Sequence, residues 1–302
     1  MALIEPRRAG TVAMRALGAL ARRLPPSIQQ PLISLRASRF NFEQKAGTLR
    51  RYEVSFRAHP VLAAKYLLLD PEVDNFTYEL ANEKQLFQFL AEILHMTPLE
   101  VEKFAAEIPN DPELNRLLRG RLRRRLDRKH TPHFGRRVGW YVIARVLKPN
   151  VIVETGIHDG LGSILLLRAL ERNAGEGSDG RLISFDVNPH AGWLVSERLR
   201  ERWRPVYRAT SEALERELEG VEVGMIIHDS EHTYECEHFE LTTAVSHASP
   251  TTALVSDNAH ATTALRDIAA NIGIDYHFFR ERPRGHFYPG AGIGLAILDR
   301  VD

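Results

Sequence analysis

The chain has almost no cysteine and almost no net charge. Cys236 is its only thiol, which excludes an intrachain disulfide framework and fits a reducing compartment. Lysine and arginine number 40 against 39 acidic residues, a formal net charge of +1, so no global field draws the chain to nucleic acid. No apolar run approaches the ~18 residues of a membrane-spanning helix, and a cytoplasmic location is expected. Also missing is Gly-x-Gly-x-x-Gly, so no pyrophosphate cradle of the dinucleotide type is spelled out. What is present is ordinary for a globular protein of 302 residues, 44% of them hydrophobic and 26% charged, with core enough to need no staples.

The organising stretch is 151–163. Val151-Ile152-Val153 is a short β-branched run suited to a strand covered on both faces, and 164–170 is long enough to be the returning helix. Gly156, Gly160 and Gly162 lie between them and leave room for a ligand. A strand, glycine turn and helix is the unit that holds a nucleotide-like ligand in a doubly wound sheet. The next strand, 181–186, ends in Asp186, where such folds place an acid on ribose hydroxyls. Further βα alternation follows, with a helix at 191–201, a strand at 205–208, a helix at 211–218, a strand at 223–229 and another at 252–258. The fold class predicted is α/β, a Rossmann-like doubly wound, mainly parallel sheet behind a helical N-terminal region.

Upstream, the first forty residues carry Arg7, Arg8, Arg15, Arg22, Arg23, Arg36 and Arg39 against Glu5 alone. An arm packing on the domain or a partner subunit is favoured over a membrane-surface helix or a transit peptide. Residues 41–125 read as helical, with an apolar stripe over 83–94 and a capping box at Thr97 and Glu100. The basic stretch 116–137 reads as a solvated face. Only Phe134 and Trp140 stand near it as stacking residues, so nucleic acid is not an expected partner. The division expected is 1–130, serving as arm, lid or homo-oligomer contacts, and 131–302, binding cofactor.

Two carboxylates and a carboxamide, Asp229, Asp257 and Asn258, stand at adjacent strand ends. Oxygen ligands converging this way suit a hard divalent cation, Mg2+ best, or else they cap the following helices. In the polar segment after Asp229, His232 is the candidate base and Glu231 the second. His228, His260, His286 and Tyr288 are candidate acceptor contacts.

On Glu154-Thr155-Gly156, Gly160, Ser163 and Asp186-Val187-Asn188-Pro189, residues 136–299 resemble a class I S-adenosylmethionine-dependent methyltransferase. The resemblance implies that Glu154 and Gly156 line the methionine end of S-adenosylmethionine, that Asp186 binds its ribose, and that Gly160 and Ser163 also belong to the cofactor site. Ala209-Thr210-Ser211 stands where relatives often carry Gly-Asp-Ser against adenine, leaving Ser211 for that contact. Asp229 with Asp257-Asn258 is similar to the metal triad of catechol O-methyltransferase-type enzymes. Residues 227–235 are similar to a stretch of bacterial sugar and macrolide O-methyltransferases, with Ser230 and Glu231 replacing a Gly and an Asp. His232 occupies the position of the catechol-type catalytic lysine. The expected activity is metal-assisted methyl transfer to a small-molecule hydroxyl of a sugar, polyketide or phenol. The alternatives are a metal-independent methyltransferase acting on N, O or C, and a non-catalytic cofactor-binding interaction protein.

Overall fold

The computed structural model describes residues 41–73, 77–125 and 127–300, so the expectations for the first forty residues lie outside it. The chain forms two compact units. The first comprises residues 1–76, 119–132 and 285–288. Within it, α1 (Phe42–Arg51) and α2 (Pro60–Leu69) pack together. The buried Lys45 ammonium donates to the carbonyls of Tyr66, at 3.3 Å, and Asp70, and the Tyr66 ring stacks on Phe287 at 3.8 Å.

The second unit comprises 77–118, 133–284 and 289–302 and holds the sheet. Seven strands run β1 (Val151–Thr155), β2 (Arg181–Phe185), β3 (Trp203–Val206), β4 (Val223–His228), β5 (Ala248–Asp257), β6 (Tyr276–Arg280) and β7 (Gly292–Asp299). Their order in the sheet is β3-β2-β1-β4-β5-β7-β6. The first five are parallel, and β7 lies antiparallel between β5 and β6. This is the Rossmann-like doubly wound α/β sheet. Its order reverses between β1 and β4, where ligands of such sheets bind.

The strand cores explain themselves from composition. Every residue of β1 and β4 is buried, as expected for parallel strands covered by helices on both faces. Val153, Ile183, Ile226 and Leu254 join Leu214, Leu241 and Ile268 in one core cluster. The helices are α3 (Glu83–Ile93), α4 (Pro98–Ala106), α5 (Pro112–Leu122), α6 (Arg137–Leu147), α7 (Leu161–Gly175), α8 (Thr210–Leu218), α9 (Tyr234–Ser246) and α10 (Ala264–Ile272). The stripe over 83–94 turns Leu86, Phe87 and Leu90 inward, and α3 and α4 both pack on α6. Residues 77–118 therefore group with the sheet. Thr97 forms the expected capping box, its hydroxyl accepting from Glu100 N at 3.3 Å while the Glu100 carboxylate accepts from Thr97 N at 2.8 Å.

One element differs from expectation. The helix read over 191–201 is a run of turns followed by a 3-10 helix, Glu197–Arg202. Gly192 sits there at φ 75°, pressed so close to Trp203 that a Cβ would lie 2.4 Å from the indole. The turn that admits the indole replaces the helix.

Candidate active site

The loop after β1 is fixed from two sides. Gly156 has φ 88°, and a Cβ there would lie 2.0 Å from the Asp229 carbonyl oxygen. Only glycine lets this turn rest on the end of β4. On the other side, Asp186 Oδ2 accepts from the amides of Ile157, at 3.0 Å, and His158, at 2.9 Å, while Oδ1 accepts from Asn188 N at 2.8 Å. Asp186 thus clamps the loop as well as facing the space above it.

Glu154 lies beneath the loop. Its Oε2 accepts from the hydroxyls of Ser163, at 2.6 Å, and Ser184, at 2.7 Å. Burial pushes its carboxyl up to about 7, although both hydroxyls favour the charged form.

A cleft of about 830 Å³ opens at the carboxyl ends of β1, β2, β3 and β4. Of the residues expected at the cofactor, Gly156, Asp186 and Ser211 line it; Asp229 and Glu231 line its β4 side. Glu154, Gly160 and Ser163 lie outside the lining, the two side chains being buried below. The structure adds apolar walls that sequence reading missed, Val187, which is 73% exposed, and Phe239.

Beyond β4 the polar groups engage one another. Asp257 is buried, and its two carboxylate oxygens accept from Nε and Nη2 of Arg136. Arg136 Nη2 also reaches Asn258 Oδ1 at 3.5 Å, and its Nη1 donates to Tyr78 Oη at 2.6 Å and Glu281 Oε1 at 3.0 Å. Arg137 lies 3.7 Å from Asp229. Burial raises the Asp257 carboxyl, but Arg136 outweighs it and holds the group below the usual carboxylate range. Burial, then the Asp257 charge, hold the neighbouring Asp229 well above that range. The basic stretch read as a solvated face therefore carries, one residue from its end, a buried arginine, only 2% exposed.

Asn258 Nδ2 meets His232 Nε2 at 2.7 Å. With the amide oxygen turned to Arg136, the NH2 donates and Nε2 accepts, which leaves the proton of the neutral ring on Nδ1. His232 Nε2 also lies 3.8 Å from Asp229 Oδ1. Burial lowers the His232 pKa.

Side-chain donor atoms of Asp229, His232 and Asp257 come within 4.8 Å of one another. The expected Asp229, Asp257 and Asn258 set does not fit a divalent ion as it stands. A cation would have to share the Asp257 oxygens with Arg136, and Mg2+ retains water, whereas Asp257 is 1% exposed.

His228 presents no surface to an acceptor, since it is fully buried with Nδ1 2.6 Å from Glu240 Oε2. Glu240 is a further residue that sequence reading missed. Its oxygens also accept from the hydroxyls of Thr155, at 2.6 Å, Thr210, at 2.7 Å, and Ser230, at 2.8 Å. It ties together β1, β4, α8, α9 and the loop after β4. The available signal was an acid next to Leu241 on the face of α9 that turns to the core. His260 is exposed after β5. His286 and Tyr288 belong to the first unit, where His286 Nδ1 accepts from Tyr288 N at 3.0 Å and the Tyr288 ring stands edge-on to Tyr52.

A doubly wound sheet with a glycine loop on β1, an acid on β2 and a cleft at the reversal point defines a nucleotide-type ligand site. Residues 153–259 match the family described as a methyltransferase domain, and that segment is a methyltransferase domain. No curated protein matches the chain significantly. Among solved structures, a putative O-methyltransferase from Klebsiella pneumoniae is 18% identical, with 64% of this chain and 93% of that chain covered and a TM-score of 0.45. The O-methyltransferase TomG from Streptomyces achromogenes, of tomaymycin synthesis, is 19% identical over 53% and 77%, with a TM-score of 0.41. CalS11, a TDP-rhamnose 3'-O-methyltransferase of calicheamicin biosynthesis, is 17% identical over 75% and 98%, also at 0.41.

Proposed function

We propose that the protein transfers a methyl group from S-adenosylmethionine to a hydroxyl of a small-molecule acceptor, a sugar, polyketide or phenol. The observation that carries this reading is the cleft itself. Its volume of about 830 Å³ suits a ligand of that size, with a side-chain-free Gly156 at one wall and the Asp186 carboxylate at another. When bound, the cofactor supplies a methyl on a sulfonium, already activated for in-line displacement.

The chain's residues then need to orient, exclude water and take a proton. Asp186 holds the Ile157 and His158 amides in place and keeps lone pairs for ribose hydroxyls. Val187 and Phe239 offer apolar surface to the adenine, and Ser211 a hydroxyl at its edge. Glu154 stiffens the loop from below through Ser163 and Ser184. His232, which follows Asp229 but is not among the residues lining the cleft, is the base. It takes the acceptor's proton on Nε2 when the acceptor hydroxyl replaces the Asn258 amide there. Glu231, exposed on the cleft rim, is the second candidate. No step needs a divalent ion.

The test is transfer of labelled methyl from S-adenosylmethionine to a panel of sugars, polyketides and phenols, with His232→Ala alongside. The variant is expected to slow transfer roughly 10²–10⁴-fold, as for a lost general base, with cofactor affinity unchanged. Tight NAD binding in place of S-adenosylmethionine would overturn the reading.

A further inference from the structure

We infer that Arg136 is the site's own cation: its guanidinium fills the place among Asp229, Asp257 and Asn258 that was expected for a divalent ion, and the site works without metal. Occupancy is the first ground. Arg136 takes both oxygens of Asp257 and reaches the Asn258 carboxamide oxygen, so it contacts two of the three expected ligands at three atoms. Charge is the second. A divalent ion would bring two positive charges to this cluster, and the chain already brings two, Arg136 on Asp257 and Arg137 at 3.7 Å from Asp229. A guanidinium cannot give up its charge in a protein, so an incoming ion would meet repulsion as well as a contest for oxygens.

The third ground is access. Arg136 is 2% exposed and Asp257 1%, and Tyr78 and Glu281 close the far side of the guanidinium. Mg2+ keeps several of its waters when protein-bound; Asp257, shut away from solvent, offers no room for them, and only Asp229 of the three expected ligands lines the cleft.

The arginine also does something an ion would not. By donating to Asn258 Oδ1 it turns the amide NH2 toward His232, which fixes Nε2 of that ring as the acceptor. Arg136 is thus a positioning residue for the proposed base, acting through Asn258. This second role rests on the methyl-transfer reading; the occupancy of the cation position does not.

Mn2+ binding to the metal-stripped full chain, followed by electron paramagnetic resonance of the free ion, tests the inference without an activity assay. The unaltered protein is expected to bind no Mn2+ up to millimolar concentration, and micromolar binding lost in Asp257→Ala would overturn the proposal. Arg136→Met, which uncovers the carboxylates, is expected to gain Mn2+ binding; a folded variant that gains none would refute the substitution of guanidinium for metal. Should that variant fail to fold, the unaltered protein decides the matter by itself. S-adenosylhomocysteine affinity measured on the same samples separates the two readings, because loss of cofactor binding bears on the methyltransferase assignment and Mn2+ binding on Arg136.

Discussion

At the carboxyl ends of β1 and β2 the acidic side chains hold nearby backbone amides and hydroxyls, whereas at β4, β5 and β6 they hold side chains from remote parts of the chain. Asp186 accepts from Ile157, His158 and Asn188 amides, and Glu154 from two serines. Asp257 and Glu281 share Arg136, which lies 121 and 145 residues away from them. The first arrangement shapes a loop around a ligand. The second neutralises charges that have no water, and so fixes the positions of Asn258 and His232.

The largest effect is expected from Arg136→Met. It leaves Asp257 and Glu281 buried without a cation, and the loss expected is about 3–5 kcal/mol of folding stability, read from urea unfolding. A loss below about 1 kcal/mol, the level of an exposed pair, would mean that the network is far more solvated than its burial implies.

Glu154 sharpens the other half through pH. Its folded carboxyl keeps a proton up to about 7, while an unfolded one gives it up near 4.5. The group therefore favours the folded state at low pH, and that contribution is lost as pH rises from about 4.5 to 7, by about 3 kcal/mol at ~1.36 kcal/mol per unit. Glu154→Gln should remove the loss, so that the variant's stability relative to the parent rises across this window. Parallel stability curves would show that the carboxyl ionises in place.

Asp186→Ala comes next. Removing the acceptor of three loop amides should weaken S-adenosylhomocysteine binding by about 1–3 kcal/mol, measured by calorimetry, while folding changes less than in Arg136→Met. Smallest is Thr97→Ala, which lies in neither half. It removes the cap of α4 and should cost about 1 kcal/mol of stability with cofactor affinity unmoved.

The same contrast decides what could be read from the sequence. The β1 loop, Asp186 and the alternation that builds the sheet are local patterns, and the structure carries the sheet they imply. Asp229, Asp257 and Asn258 were also visible as strand-end residues. Their partner was not, because Arg136 lies within a basic run and nothing in that run distinguishes the one buried arginine from the more exposed ones around it. Glu240 escaped for a similar reason: its partners come from β1, β4 and α8 as well as from its own neighbourhood. The 191–201 segment misled because its helical composition is overruled by Gly192 against Trp203, a contact made only in the folded sheet.

The cleft at the ends of β1 to β4 is proposed to hold S-adenosylmethionine, and to do so independently of metal. Calorimetric titration of S-adenosylhomocysteine into the full chain in excess EDTA tests it most directly. One binding event per chain is expected, of the same affinity with EDTA and with added Mg2+; absence of binding under both conditions, or binding that appears only with Mg2+, would overturn the proposal.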